Sequence, residues 1–322
     1  MLGGYLFFAY VVASSAIFTA WALLVASMTQ GQPAQHALSL GFVALSLAMG
    51  FLNCVAGFFY AKSKSLPGQR RHPPAPARLP AVSVVVASCN ENLSVLKTTL
   101  ASLLKIAYPR SKISFWIADS TENVLDRNKI KAVSKSLGYR YSYHPRRRGF
   151  KAGSLNRVLS RINSEFFCVF DADEELVDRA FLAENVGWFS ADPQLAFVQT
   201  AKASRKAGFF EDAAEATNAL FSNVQQPLRS ELGMALYSGS AAILRESAFC
   251  KLGGFNEDPS SPSEDAEFSL RADIAGYRGI YVNKAYALWV PVSSYSSFAR
   301  QQWKYSYGSA RLWEPTCATR AV

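Results

Sequence analysis

The lack of charge at the start of the chain constrains its fold more than any other feature. Residues 1–61 of the 322 contain no Asp, Glu, Lys or Arg, and they hold two apolar runs separated by a short polar bridge. The runs, at about 5–28 and 37–60, are each about 24 residues long, whereas a helix needs about 20 to cross a bilayer. The pattern predicts a transmembrane hairpin. A cleaved signal peptide or two buried soluble helices are the alternatives, and the long first run without basic residues before it fits them less well.

The next segment predicts the orientation of this hairpin. Residues 62–80 contain five basic residues, five prolines and no acidic residue. Positive charge next to membrane helices stays in the cytoplasm, and proline-rich segments are semi-extended. We therefore expect a basic linker on the cytoplasmic side of an inner or plasma membrane, with all of the downstream chain in the cytoplasm.

Composition narrows the class of the remaining chain. The formal net charge of +10 lies wholly on residues 62–322, and half of the chain is apolar, which excludes wholesale disorder. The five cysteines are dispersed without a CxxC pair, which is typical of a reducing compartment and argues against a disulfide framework or structural zinc. A basic chain can bind nucleic acid, but a membrane tether makes anionic lipid the better explanation, so we expect no nucleic-acid partner.

From residue 81 onwards, short β-branched runs alternate with helical patterns. The predicted strands are 82–87, 113–118, 139–143 and 166–170. The predicted helices are 93–104, 124–137 and 153–162. This alternation indicates an α/β domain with a parallel sheet, in which ligands bind at the carboxyl ends of the strands.

Two groups of opposite charge follow the predicted strands. Asp171 and Asp173 come after the apolar run FFCVF, where two carboxylates can converge on Mg²⁺ or Mn²⁺; a surface turn is the alternative. The basic residues of 146–148 and Lys151 suit a diphosphate near a helix that starts at about Gly153; a solvated turn or a lipid contact is the alternative.

Two later segments also allow two interpretations each. Ser263 can cap a helix whose first turn favours acids, or the acids Glu264 and Asp265 can include a general base. Residues 297–308 are rich in aromatic and cationic side chains, which suits either an interfacial helix or a channel for a sugar acceptor.

Taken in order, these motifs resemble the cellulose-synthase-like branch of family 2 glycosyltransferases. The resemblance runs from about residue 81 to 308. Its motifs are ASCNE, IADST, HPRRRGFKAGSLN, VFDAD, LAFVQT, YSGSAAILRESAFCKLGGF, SED with GYRGIYV, and QQWKY. It implies a GT-A fold over 81–295 and an amphipathic interfacial or acceptor-binding segment over 296–322. It further implies a UDP-sugar donor, Mg²⁺ or Mn²⁺, a glycan or lipid-linked acceptor, and inversion to a β-linked product.

The resemblance also implies roles for individual residues. Asp265 would deprotonate the acceptor, and Asp171 and Asp173 would ligate the metal. The nucleotide-sugar would contact Asn90, Glu91, Asp119, Arg148, Lys151 and Asp171. The acceptor and diphosphate would lie against Gly239, Ser240, Glu264, Gln301, Lys304 and Tyr305.

The sequence departs from the family pattern at two motifs. A paired Asp-Asp after the second strand is here Ala118-Asp119, and a Q-x-x-R-W signature is Gln301-Gln302-Trp303-Lys304-Tyr305. Lysine is a point charge where arginine is a bidentate fork, which weakens the expectation of a processive polymerase. Two alternative functions therefore stay open: transfer of one sugar to a lipid or short glycan, and an inactive transferase-like scaffold subunit.

Two membrane helices are too few to enclose a polysaccharide channel. We therefore expect one of three explanations. The chain is a piece of a longer protein, a membrane partner subunit supplies further helices, or the product is not translocated.

Overall fold

The computed structural model describes residues 78–145, 149–205, 221–258, 263–292 and 294–312, together with scattered positions between 20 and 76 and at 215, 218 and 219. The predicted hairpin and the basic linker therefore lie almost wholly outside the described residues, as do residues 313–322. Within the part of the chain that is described, no helix is both long enough and apolar enough to cross a bilayer.

The described residues form a mixed α/β domain. Its strands are β1 (Val82–Ser88), β2 (Ile113–Asp119), β3 (Arg140–Tyr143), β4 (Phe166–Asp171), β5 (Glu175–Leu176), β6 (Leu195–Ser204), β7 (Ala242–Arg245) and β8 (Arg278–Trp289). Its α-helices are α1 (Leu93–Leu103), α2 (Val124–Ser136), α3 (Phe150–Leu159), α4 (Phe181–Asn185), α5 (Trp188–Ala191), α6 (Gln226–Glu231), α7 (Glu246–Lys251), α8 (Glu264–Ile274) and α9 (Tyr295–Arg311). A 3₁₀ turn at Arg110–Lys112 and a π-helical turn at Phe221–Gln225 complete these elements.

The strands form one sheet with the order β3-β2-β1-β4-β7-β6-β8-β5. Strands β3, β2, β1 and β4 are parallel, as the alternation of strands and helices predicts. The chain moves from β1 towards β3 on one side and places β4 on the other side of β1. The carboxyl ends of β1 and β4 therefore flank a topological switch point, where open α/β sheets bind ligands.

The other half of the sheet contains antiparallel pairs. The prediction of a parallel sheet therefore holds for β1 to β4 but not for the whole sheet. Strand β7 is antiparallel to both β4 and β6, and β5 is antiparallel to β8. The reason is the entry point of β7. The Ala241 amide donates to the Val169 carbonyl (2.8 Å) close to the carboxyl end of β4, so β7 enters the sheet from that edge and runs back against β4.

Helix α3 begins earlier than the sequence pattern predicts. We expected it to start near Gly153, but it starts at Phe150 because Gly149 has a φ of 81° and its carbonyl accepts the Gly153 amide (2.8 Å). Left-handed backbone of this kind is free of strain only in glycine. The earlier start puts Lys151 in the first turn of the helix, next to the carboxyl ends of the strands.

Helix α8, which carries two candidate site residues, is held by an aromatic cluster. Phe268 is fully buried, and its ring lies 5.4 Å from that of Phe255 and 5.8 Å from that of Phe249. The ring of Phe197, in β6, lies 6.5 Å away. Packing of large aromatic rings contributes strongly to core stability, so this cluster fixes the helix against the sheet.

Phe268→Ala should therefore destabilise the domain. We expect the free energy of unfolding to fall by about 3–5 kcal/mol, because the variant leaves a cavity among large rings. Leu270→Ala, on the exposed side of the same helix, should cost about 0.5 kcal/mol or less. Urea denaturation followed by circular dichroism measures both, and equal losses in the two variants would contradict the assigned core.

Candidate active site

A cleft of about 300 Å³ opens at the switch point between β1 and β4. Residues from both strand ends, from the first turn of α3 and from α9 line it. They are Ala87, Ser88, Cys89, Glu91, Ser120, Phe150, Lys151, Ser154, Asp171, Ala172, Asp173 and Lys304. Four of the residues predicted from the sequence for donor or metal binding therefore share one cleft, together with Lys304 from the predicted acceptor side.

The loop after β1 is shaped by Asn90. This residue has a φ of 58°, and its backbone amide donates to Thr121 Oγ1 (3.0 Å). Its side-chain oxygen accepts the Glu122 amide (3.1 Å), which ties the loop after β1 to the loop after β2. Asn90 thus positions the exposed Glu91 at the edge of the cleft rather than reaching into the cleft itself.

Asp119, for which we expect a nucleotide contact, has a fully buried side chain and is not among the residues that line the cleft. One carboxylate oxygen accepts from the amide and hydroxyl of Thr121 (3.1 and 2.7 Å), and the other accepts from the Tyr141 hydroxyl (2.6 Å). In this structure Asp119 orders the loop after β2.

Asp171 ends β4 in a close ion pair. Its Oδ1 lies 2.6 Å from Lys151 Nζ, and the two side chains are 36% and 31% exposed. Burial alone would raise the pKa of Asp171, but the charges of Lys151 and Lys202 outweigh it and hold the pKa below its usual value. Asp171 therefore stays ionised.

The neighbouring carboxylates are electrostatically crowded. Burial, followed by the charges of Asp171 and Glu174, raises the pKa of Asp173. Burial and the charges of Asp173 and Asp171 likewise raise the pKa of Glu91. Among the described residues that line the cleft, the three carboxylates of Glu91, Asp171 and Asp173 thus outnumber the ammonium groups of Lys151 and Lys304.

This donor set suits a hard divalent cation. Among the described residues, no group of three or more His, Cys, Asp or Glu is arranged to hold a metal by itself. Mg²⁺ is commonly held by one or two carboxylates, with phosphate oxygens and water completing its shell. The pair Asp171 and Asp173 fits that pattern, because their oxygen ligands and excess negative charge match such a cation.

Lys151 also connects the two sides of the cleft. Besides pairing with Asp171, its Nζ donates to the Gly239 carbonyl (3.1 Å). Burial acts against its charge, but Asp171, Glu264 and Asp265 together raise its pKa, so Lys151 remains a cation. Arg148 and the rest of the predicted basic loop, 146–148, lie outside the described residues.

Asp265 lies in the first turn of α8, against the Gly239–Ala241 turn that precedes β7. Gly239 has a φ of 78°, and a Cβ atom there would lie 3.1 Å from Asp265 Oδ2. The other carboxylate oxygen accepts the Ala266 amide (2.8 Å). Burial and the charge of Glu264 raise the pKa of Asp265 to about 6, a value suited to proton transfer near neutral pH.

The helix-cap interpretation of this motif receives no support from hydrogen bonding. Ser263 occupies the N-cap position of α8, but its side chain makes no capping hydrogen bond.

Helix α9 carries the last three predicted residues, Gln301, Lys304 and Tyr305, and brings one of them to the cleft. Lys304 lines the cleft. Tyr305 is 50% exposed, and the charges of Lys202 and Asp265 act on its hydroxyl group. Burial is the main reason that the pKa of Tyr305 is raised. Gln301, half-buried, lies one turn earlier in α9. Trp303, two residues before Tyr305, is 74% exposed, and neither ring is among the residues that line the cleft.

Sequence reasoning missed Glu174 and Lys202. Glu174 is 1% exposed and accepts from Ser240 Oγ (2.6 Å), Lys202 Nζ (2.8 Å) and the Asp171 amide (3.0 Å). Ser240, expected on the acceptor side, is fully buried in this network. The one sequence signal is Lys202, the single charged residue of β6. Its partner Glu174 lies 28 positions away in the sequence, so the pair could not be predicted from a local pattern.

The comparisons with known proteins agree with this architecture. Residues 80–308 match the family described as Glycosyltransferase like family 2. The chain therefore belongs to that family.

Its relatives include bacterial cellulose synthases. A cellulose synthase catalytic subunit (UDP-forming) of Xanthomonas axonopodis pv. citri (strain 306) is 27% identical over 301 residues, which is 91% of this chain and 40% of that protein. Cellulose synthase 2 of Novacetimonas hansenii is 30% identical over 273 residues, covering 82% of this chain and 16% of that protein. The chain thus spans less than half the length of each of these relatives.

A solved structure shares the fold. A mannosyltransferase from Pyrobaculum calidifontis, in complex with GDP-Man and Mn²⁺, matches 78% of this chain and 68% of its own, with a TM-score of 0.59 and 21% identity. This likeness supports the mixed α/β, GT-A-like fold expected from the sequence.

Gly239→Ala should disturb the cleft through Asp265. The substitution strains the left-handed backbone by about 1–3 kcal/mol and pushes a methyl group against Asp265 Oδ2. Gly138 is a matched control, since its φ is also 78° but a Cβ there meets nothing within 4 Å. We expect similar losses in the free energy of unfolding, but a loss of glycosyl transfer only in Gly239→Ala. Equal activities would contradict the close approach of Gly239 to Asp265.

Proposed function

We propose that this chain is a membrane-anchored, metal-dependent, inverting glycosyltransferase that uses a UDP-sugar to build a β-linked glycan. One observation carries the proposal. A single cleft gathers the carboxylates Glu91, Asp171 and Asp173 and the cation Lys151, while Asp265 lies across Gly239. These groups come from distant parts of the sequence. Together they could bind the diphosphate of a nucleoside-diphosphate sugar and activate an acceptor hydroxyl.

Binding of the UDP-sugar donor is proposed from the charged side chains of the cleft. Asp171 and Asp173 would hold Mg²⁺ or Mn²⁺, which, when bound, stabilises negative charge on the leaving UDP. Lys151 adds a cation at the same cleft, and its position in the first turn of α3 places it beside a helix N-terminus. The exposed Glu91 lies at the edge where the nucleotide would enter.

Asp265 would act as the general base. Its raised pKa and its position at the Gly239–Ala241 turn suit removal of a proton from an acceptor hydroxyl. With Asp265 as the base and no covalent intermediate on the protein, the proposed reaction would be a single displacement. An α-linked donor then gives a β-linked product. Burial keeps the pKa of this base high, and the neighbouring charge of Glu264 adds to that effect.

The acceptor would enter beside α9. Tyr305 offers an aromatic face for a sugar ring, and Lys304 adds a cation that lines the cleft. Gln301 lies on the same helix. Relatives named as cellulose synthases support a β-linked polysaccharide as product.

Single-sugar transfer to a lipid or short glycan is the second candidate. The observation in its favour is that Lys304 and Tyr305 replace the arginine and tryptophan that the family resemblance implies, giving a weaker hold on a growing chain. The chain length of the product separates the two candidates. The third possibility, an inactive scaffold, is opposed by the intact set of Asp171, Asp173 and Asp265.

We further propose that residues 1–61 anchor the protein as a transmembrane hairpin and that the transferase domain faces the cytoplasm. The support is the uncharged sequence of that segment and the basic residues of 62–80. UDP-sugar and acceptor would then meet at the membrane surface. A membrane partner subunit that supplies further helices would be compatible with this arrangement.

The direct test is UDP release from a panel of UDP-sugars by the membrane-embedded protein with Mn²⁺ or Mg²⁺. We expect turnover with one sugar, and a loss of about 10²- to 10⁴-fold in Asp265→Asn because the base is removed. Asp273→Asn, on the same helix but eight residues further on and so about 12 Å along the helix axis from Asp265, should keep wild-type activity. Undiminished turnover in Asp265→Asn would overturn the assignment of the base.

The rate of transfer should depend on the ionisation of Asp265. Since burial and Glu264 raise its pKa to about 6, the base is progressively protonated as the pH falls through that value. We therefore expect the UDP release rate to fall about tenfold per pH unit below about pH 6 and to level off above it. A rate that stays constant through pH 6 would contradict this role.

Membrane anchoring predicts a specific fractionation result. The full chain should stay in the pellet after alkaline carbonate extraction, because a hairpin of two spanning helices is not released by breaking electrostatic contacts. Protease added to sealed inside-out vesicles should digest the transferase domain, whereas right-side-out vesicles should protect it. Release by carbonate would argue against the hairpin.

A further inference from the structure

A buried carboxylate lies beneath the candidate metal-binding loop, Asp171–Asp173. Glu174 is 1% exposed, yet both of its carboxylate oxygens are hydrogen-bonded. Oε2 accepts the Asp171 backbone amide (3.0 Å). Oε1 accepts from Ser240 Oγ (2.6 Å) and from Lys202 Nζ (2.8 Å). A buried charge is tolerated when it is paired and hydrogen-bonded in this way.

The three donors belong to three neighbouring parts of the sheet. Asp171 ends β4, Lys202 lies in β6, and Ser240 lies in the turn that leads into β7, the strand between them. Lys202 Nζ also donates to Ser240 Oγ (2.8 Å), so the network is closed. Glu174 therefore connects the metal-binding loop to the Gly239–Ala241 turn, against which Asp265 lies.

Resting on the proposed function, we infer that Glu174 is a positioning residue for the metal-binding carboxylates. Asp171 and Asp173 carry like charges and repel each other, so the loop between them tends to open when no cation is bound. A fixed Asp171 amide opposes that opening and keeps the loop in register with Asp265. Groups that orient metal ligands commonly affect metal affinity by about 10- to 100-fold.

The test measures Mn²⁺ affinity rather than turnover. Mn²⁺ is titrated into the full chain at one fixed concentration of UDP, and the free ion is counted by electron paramagnetic resonance. A titration of the same UDP solution without protein gives the Mn²⁺ that UDP alone binds. We expect Glu174→Gln to weaken Mn²⁺ binding by about 10- to 100-fold. A glutamine side chain has one oxygen that accepts hydrogen bonds, whereas the carboxylate of Glu174 has two. Glu175→Gln is the matched control. Its side chain pairs with Arg205 and does not line the cleft, so its Mn²⁺ affinity should match the wild type.

A second variant separates positioning from stability. Glu174→Gln combined with Lys202→Met removes both charges of the buried pair, so it avoids an uncompensated ion. We expect its melting temperature to recover towards the wild-type value while Mn²⁺ binding stays weak. Wild-type Mn²⁺ affinity in the folded double variant would overturn the inference. A wild-type protein that binds no Mn²⁺ in the presence of UDP would instead overturn the proposed function, and the inference with it.

Discussion

The ion pair between Lys151 and Asp171 is the interaction on which the arrangement of the cleft depends. The nitrogen and oxygen lie 2.6 Å apart, and the same ammonium group donates to the Gly239 carbonyl. One lysine therefore connects α3, the end of β4 and the turn that approaches Asp265. Because both side chains are about one-third exposed, solvent screens the pair, and its importance lies in geometry more than in stability.

Backbone strain also occurs in the turns around the cleft. Among the described residues, the non-glycine residues with positive φ are Asn90, Phe150 and Ala241. Each is next to a residue assigned to the site: Asn90 precedes Glu91, Phe150 precedes Lys151, and Ala241 follows Ser240. Such backbone costs about 1–3 kcal/mol per residue and persists only where surrounding contacts enforce it. The domain thus keeps strained turns and crowded carboxylates at one edge of its sheet, where a bound cation would relieve the repulsion between the carboxylates.

The sequence predicted those features that depend on local pattern. Strands β1, β2 and β4 were expected to within one residue, because runs such as VSVVVA and FFCVF are buried on both faces. The specific order of the motifs predicted that Asp171, Asp173 and Lys151 belong to one site, and the structure brings them into one cleft. The start of α3 was missed because it depends on the left-handed conformation of Gly149.

Other features depend on contacts that no local pattern records. The direction of β7 follows from its entry at the site edge, and the burial of Asp119 follows from Tyr141 and Thr121. Glu174 and Lys202 meet only after the sheet has assembled. The hydrogen bonds of Asp119 to Thr121 and Tyr141 were likewise not predicted, and its contact with a nucleotide stays a prediction.

The central proposal is that Asp171 and Asp173 make nucleotide binding depend on a divalent cation. Calorimetric titration of UDP into the full chain, with Mn²⁺ and with a chelator, tests this claim most directly, and Asp173→Asn completes the experiment. The account predicts heat of binding with Mn²⁺, and its loss both in the chelator and in the variant. Equal UDP affinity with Mn²⁺ and with the chelator would contradict it.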